Sequence, residues 1–164
     1  MKQKSILDID VSIFENYKTI DPKKVNLLIW LNSRKYAKEV EKIRSTKDEK
    51  EKKHLKSKLP AITPSGLFSK RSSKGLLKHS SFIQFDIDFK DNIHIKNYSN
   101  LKNQISKIKE VAFCGLSVSG NGYWGLIPIS EPTKHQQHFF HLLQSLLDHL
   151  KPISHCGPLK IKTF

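Results

Sequence analysis

Two aspartates one residue apart, Asp86 and Asp88, lie in the segment FIQFDIDF at 82–89, where Ile83, Phe85, Ile87 and Phe89 alternate with Gln84 and the two acids. That alternation predicts a β-strand with its apolar side chains on one face and both carboxylates on the other, their backbones about 7 Å apart. Carboxylates at this spacing can share a divalent cation or bracket a pair of them. Without a cation nearby, their repulsion raises the proton affinity of at least one. Asp86 and Asp88 are therefore a candidate metal site, and the alternative is an ordinary exposed sheet face. Asp91, three residues on, is expected in the following turn.

A second cluster begins at Ser117 and Ser119, which share a strand face and lead into Gly120, Asn121 and Gly122. Glycine lets backbone amides approach a phosphate closely and hydroxyls add donors, but the same residues also make a plain Asn-Gly hairpin turn. Tyr123 and Trp124 follow, placed either to stack on a base or to pack. In SKRSSKGLLKHSS, Lys70, Arg71, Lys74 and Lys78 offer charge to phosphates, or simply form a solvated basic surface. His135, His138 and His141 recur every three residues with no acid or thiolate among them, which reads as a polar helix face. Cys114 and Cys156 form no CxxC pair, so a thiolate zinc cage and a disulfide framework are both excluded and a reducing, cytoplasmic compartment is expected. No phosphate-binding GxxxxGK, no GxGxxG and no Ser/His/Asp set is present.

The elements that must position these residues divide the chain by character. Its 164 residues, enough for one domain, hold 29 Lys+Arg against 15 Asp+Glu, a formal charge of +14. Residues 1–80 hold 20 of those basic side chains and nine of the acidic ones, so the front half is the basic half and should attract polyanions. No run of eighteen apolar residues and no signal-peptide pattern occurs, so no membrane association is expected. Asp21 and Pro22 predict the start of a helix running to about 45, and Thr46 with Glu49 the capping box of a second, highly charged helix ending near Leu59. This makes 1–64 a basic helical segment and 65–80 a mobile basic loop.

From Ser81 the pattern predicts a strand at 81–89, a helix at 99–109, a strand at 111–119, a hairpin into YWGLIPI, and a long helix carrying Phe139, Phe140, Leu143, Leu146, Leu147 and Leu150. The tail PLKIKTF alternates well enough for a last strand with Leu159 and Ile161 inward. The expected class is α+β, a ferredoxin-like βαββα(β) antiparallel sheet with helices on one face, and the strands at 82–89 and 112–119 are expected as its central pair.

LPAITPSGLF, FIQFDIDFKDN, VAFCGLSVSGNGYWGLIPI and KHQQHFFHLL, in that order, resemble the VirE N-terminal-type domain family of bacterial mobile elements, over about residues 11–150. That family in turn resembles the archaeo-eukaryotic primase superfamily. The resemblance implies that Asp86 and Asp88 bind Mg²⁺ or Mn²⁺ for nucleotidyl transfer and that Ser117, Ser119, Gly120, Asn121 and Gly122 hold the phosphates of a nucleoside triphosphate. It further implies that Lys70, Arg71, Lys74 and Lys78 contact DNA or RNA, and that a helicase or primase is a partner. The sequence departs from the primase pattern at Trp124, where a histidine is expected, and in its tail, which carries no third acid and reads as having lost a continuation; Asp148 falls inside the last helix. Independent polymerase activity is therefore not expected. The competing readings are a non-catalytic module that docks a replication or mobilisation protein through its basic helices, and a truncated, non-functional product.

Overall fold

A computed structural model of the chain describes residues 4–132 and 159–163, and the chain divides into two compact units, Met1–Ser80 and Ser81–Phe164. In the first unit β1 (Asp10–Phe14) is the centre of a three-stranded antiparallel sheet, flanked by β2 (Lys23–Asn26) and β3 (Ala61–Thr63). Val11 and Phe14 project to opposite sides of β1 and both are fully buried, as a central strand requires. Ser12, also buried, accepts a hydrogen bond from the Phe68 amide at 2.8 Å and so ties β4 (Gly66–Phe68) to β1.

The single helix expected over 22–45 does not form. Lys23–Asn26 pairs with β1, and the Asn26 side chain caps the short α1 (Leu27–Asn32) by accepting from the Ile29 amide at 3.1 Å. The helix stops at Ser33 and α2 (Ala37–Ser45) starts afresh. Ladder bonds from the distant segment at 10–14 outweigh the local helix signal of Asp21-Pro22. The second expected helix is present as α3 (Glu49–Ser57), but its cap is Asp48, which accepts from the Glu51 amide at 2.6 Å, while Thr46 closes α2.

The stretch 65–80 is likewise not a loop. β4 pairs antiparallel with β5 (Leu76–His79), and the Ser80 hydroxyl donates to the Pro64 carbonyl at 2.5 Å across the base of this hairpin. Its Ser, Lys and Gly content conceals the pairing, because Gly66 lies too close to the Lys78 carbonyl for any Cβ to fit.

In the second unit the elements are β6 (Phe82–Asp88), α4 (Tyr98–Ile105), β7 (Phe113–Leu116), β8 (Gly122–Pro128) and β9 (Lys162–Thr163). The strands form one antiparallel sheet in the order β7-β8-β6-β9, the ferredoxin-like order, and the class is α+β as expected. The central pair is β6 and β8 rather than β6 and β7. β6 and β7 run parallel, joined through α4, and β8 returns by its tight turn into the gap between them. The tail does supply the last strand, and Leu159 and Ile161 point inward. The expected helix after Pro132, with its three histidines and Asp148, lies outside the described residues, as does Cys156.

One face of this sheet forms the core. Phe85 and Ile87 of β6 and Tyr123 and Ile127 of β8 pack against Leu101 and Ile105 of α4, with Ile95, Ile108 and Leu159 closing the cluster. Gly125 makes the centre possible, since a Cβ there would meet the Phe85 ring and the Phe113 carbonyl. Among the described residues no helix is long and apolar enough to cross a membrane. Gly125→Ala is expected to destabilise the second unit by about 1–3 kcal/mol through overpacking, read as a lowered urea midpoint with the far-ultraviolet spectrum retained.

Candidate functional site

The opposite face of the same sheet carries the acids. Register places Asp86 beside Trp124, with Gly115 beyond it on β7, and Asp88 beside Gly122, whose carbonyl accepts from the Ser117 amide at 2.8 Å. The rows Asp86–Trp124–Gly115 and Asp88–Gly122–Ser117 therefore run side by side across three strands. The acids and the serine-glycine turn do meet, through β8 and not through direct pairing of β6 with β7. The face is not open along its full length: Leu126, in the row next to Asp86 and Trp124, and Phe82, one row further, are buried. Asp86, Asp88 and Trp124 are half-buried, and Asn121 at the turn is exposed.

The turn is a hairpin with Gly120 in the left-handed region at φ 76°, where glycine avoids the Cβ penalty. Its bonds are largely internal: Gly120 N–H donates to the Ser117 carbonyl at 3.0 Å, and the Ser117 and Ser119 hydroxyls lie 3.3 Å apart. The Asn121 carbonyl accepts from the Phe89 amide at 3.0 Å, which fixes the turn to the end of β6. Tyr123 and Trp124 project to opposite faces. Tyr123 is buried in the core, edge-on to Phe89 at 5.2 Å, so it packs. Trp124 lies on the acid face and leans on the Phe113 ring at 5.0 Å.

Asp88 has a cationic partner that sequence reasoning missed. Lys162 of β9 sits between two carboxylates, 2.6 Å from Oδ2 of Asp88 and 2.6 Å from Oδ2 of Asp91. Asp91 belongs to a 3-10 turn at Phe89–Asp91, which swings its carboxylate back to the end of β6. The hydrogen bond from Lys162 holds the Asp91 carboxyl below the ordinary range, and the bonds to Asp88 and Asp91 push the Lys162 ammonium up. The fully buried Asn92 next in the chain secures the arrangement. Its Nδ2 donates to the carbonyls of Asp88 at 2.9 Å and Lys160 at 3.0 Å, and its Oδ1 accepts from the Lys160 amide at 2.7 Å. The alternation of PLKIKTF puts Lys162 on the face opposite Ile161, but nothing local announces the register that sets Lys162 beside Asp86.

This donor set does not fit a pair of divalent ions. An ammonium already bridges Asp88 and Asp91, and among the described residues no group of three His, Cys, Asp or Glu side chains is placed to hold a metal. Cys114, half-buried on β7, has its thiol pushed up to about 11 by burial, which leaves it protonated and unreactive near neutrality.

The four candidate cations before β6 separate in role. Lys70, Lys74 and Lys78 are exposed on or beside the β4–β5 hairpin. Arg71 is used within the fold, donating to the carbonyls of Asn16 at 3.2 Å and Tyr17 at 2.8 Å.

The Lys162 clasp has a definite pH signature. Asp91, depressed in the fold, contributes stability above its ordinary range and loses it as pH falls through its folded value. Lys162, raised in the fold, contributes below its ordinary range and loses it as pH rises through its folded value. The clasp should therefore be at full strength between about pH 4 and pH 10. Urea midpoints measured down to pH 3 are expected to fall on the acid side in the native chain and to fall less in Lys162→Met; equal acid limbs would show that the clasp contributes nothing.

Comparison with known proteins adds a family. No curated protein and no solved structure matched the chain. Residues 54–151, more than half of its length and running from within α3 past β8, match the family described as BT4734-like, N-terminal domain, and the chain belongs to that family.

Proposed function

We propose that the chain is a primase-like nucleic-acid-binding domain, related to the VirE-type domains that its motifs resemble, which binds single strands without carrying out polymerisation itself. The observation that carries this reading is the outer face of the β6–β8 pair: a half-exposed Trp124 on a central strand, next to a serine-glycine turn, in a chain of net charge +14. An antiparallel sheet with an aromatic ring presented from a central strand offers a stacking platform, since every base has a π-face. Ser117, Ser119 and the exposed Asn121 of the turn lie one row away, within reach of the phosphate or nucleotide that follows a base stacked on Trp124. Phosphates near Asp86 and Asp88 would be repelled by bare carboxylates. Lys162 removes part of that charge, so the reading needs no Mg²⁺ or Mn²⁺.

The test uses Trp124 as its own reporter. In a Trp30→Phe background, which leaves Trp124 as the remaining indole, titration with single-stranded oligothymidylate at low salt is expected to quench the fluorescence. The apparent affinity should fall steeply as salt rises and stay the same in EDTA. Absence of quenching at low salt overturns the reading in favour of a protein-docking module. Binding that appears only with Mn²⁺ and is lost in Asp86→Asn and Asp88→Asn overturns its metal-free part.

A further inference from the structure

The first unit contains a loop that is braced by hydrogen bonds and yet turns large side chains toward solvent. The Arg71 guanidinium lies over the buried ring of Phe14, with Cζ 5.1 Å from the centroid, while Nη1 holds the carbonyls of Asn16 and Tyr17. The Arg71 amide donates to the Ile20 carbonyl at 2.9 Å. Asn16 Oδ1 accepts from the amides of Lys18 at 2.9 Å and Thr19 at 3.2 Å, so the segment between Phe14 and Ile20 is fixed at both ends and in its middle. Yet Tyr17 is 56% exposed and Ile20 is 64% exposed. A large aromatic held in solvent on a pre-ordered loop suits a ligand, because little conformational entropy is left to lose on binding.

The chemistry around the loop identifies the ligand class. The Lys18 ammonium lies 5.9 Å from the Tyr17 ring centroid. Lys70 and Lys74, on the hairpin turn that Arg71 fastens to this loop, are exposed and form no ion pair with a described residue. An aromatic platform interleaved with cations matches the alternating bases and phosphates of a single strand. An anionic bilayer is less well matched, because the nearby apolar residues are separated by charge: Leu76 and Leu77 stand between Lys74 and Lys78, and Ile20 follows Lys18 within two residues.

We propose that Tyr17 stacks on a base of single-stranded nucleic acid while Lys18, Lys70 and Lys74 meet its phosphates, and that Arg71 is a positioning residue, not a phosphate contact. This rests on the nucleic-acid reading given above and adds a second contact surface on the other unit.

Fluorescence anisotropy of a labelled oligothymidylate, measured with the full chain over a range of salt concentrations, tests it. Tyr17→Ala should weaken binding roughly tenfold without changing the salt slope, and Tyr17→Phe should bind like the native chain. Lys70→Gln and Lys74→Gln should each lower the salt slope by about one. Arg71→Lys keeps the charge but loses the planar guanidinium that lies over the Phe14 ring while holding both carbonyls, so it should weaken binding with the slope intact. Native-like binding by Tyr17→Ala with Trp124 still quenched overturns this inference and leaves the Trp124 reading standing. Tyr17-dependent binding without Trp124 quenching does the reverse. Sedimentation of the chain with phosphatidylserine vesicles, with no oligonucleotide binding, overturns it in favour of a membrane surface.

Discussion

The second unit depends on how a cluster of like charges, on one strand and the turn that follows it, is tolerated. Asp88 ends β6 and Asp91 follows one turn later, and both would repel each other and Asp86 if left alone. The Lys162 ammonium resolves this from a strand that is far away in sequence, and the buried Asn92 makes the approach of that strand stable by matching the backbone of Lys160 on both its donor and its acceptor. Ion pairing and amide pairing act on the same few residues. The half-exposed pair alone would contribute little, but three hydrogen bonds from a fully buried side chain keep the lysine where it can act.

The same constraint shapes the chemistry that the sheet can support. With the charge of its acid face partly offset by a fixed lysine, the sheet's distinctive features are a tryptophan on a central strand and a turn rich in hydroxyls and glycine. The first unit, where most of the excess positive charge resides, disposes of that charge by different means. Arg71 is used to stiffen a loop, and Lys18, Lys70 and Lys74 remain at the surface. A positive charge in the sequence thus has different uses according to whether a carbonyl, a carboxylate or only water lies within reach.

Legibility followed the range of the interactions. Alternation in FIQFDIDF correctly placed Phe85 and Ile87 in the core and the acids opposite, because burial of one face imposes a period of two on any strand. The Gly120-Asn121-Gly122 turn and α4 were equally plain, since turn chemistry and helical spacing are local. The helix expected across 22–45 failed at Lys23–Asn26, where pairing with β1 prevailed, and the supposed loop at 65–80 failed because hairpin partners rich in Ser, Lys and Gly carry no apolar alternation. Tyr123 and Trp124 looked equivalent in the chain and differ entirely in the sheet, one inside and one on the acid face.

By itself the amino-acid order determined the α+β class, the basic character of the front half, the two-residue spacing that puts Asp86 and Asp88 on one face, and the inward direction of Leu159 and Ile161. These follow from side-chain period and charge, which need no partner to define them. Tertiary structure alone decided that β8 lies between β6 and β7, that Asp91 turns back toward Asp88, that Lys162 completes the cluster, and that Arg71 is used on carbonyls. Apart from the turn of Asp91, which is local, each of these is a contact between segments with no local code for their register, settled only when the whole core is packed at once.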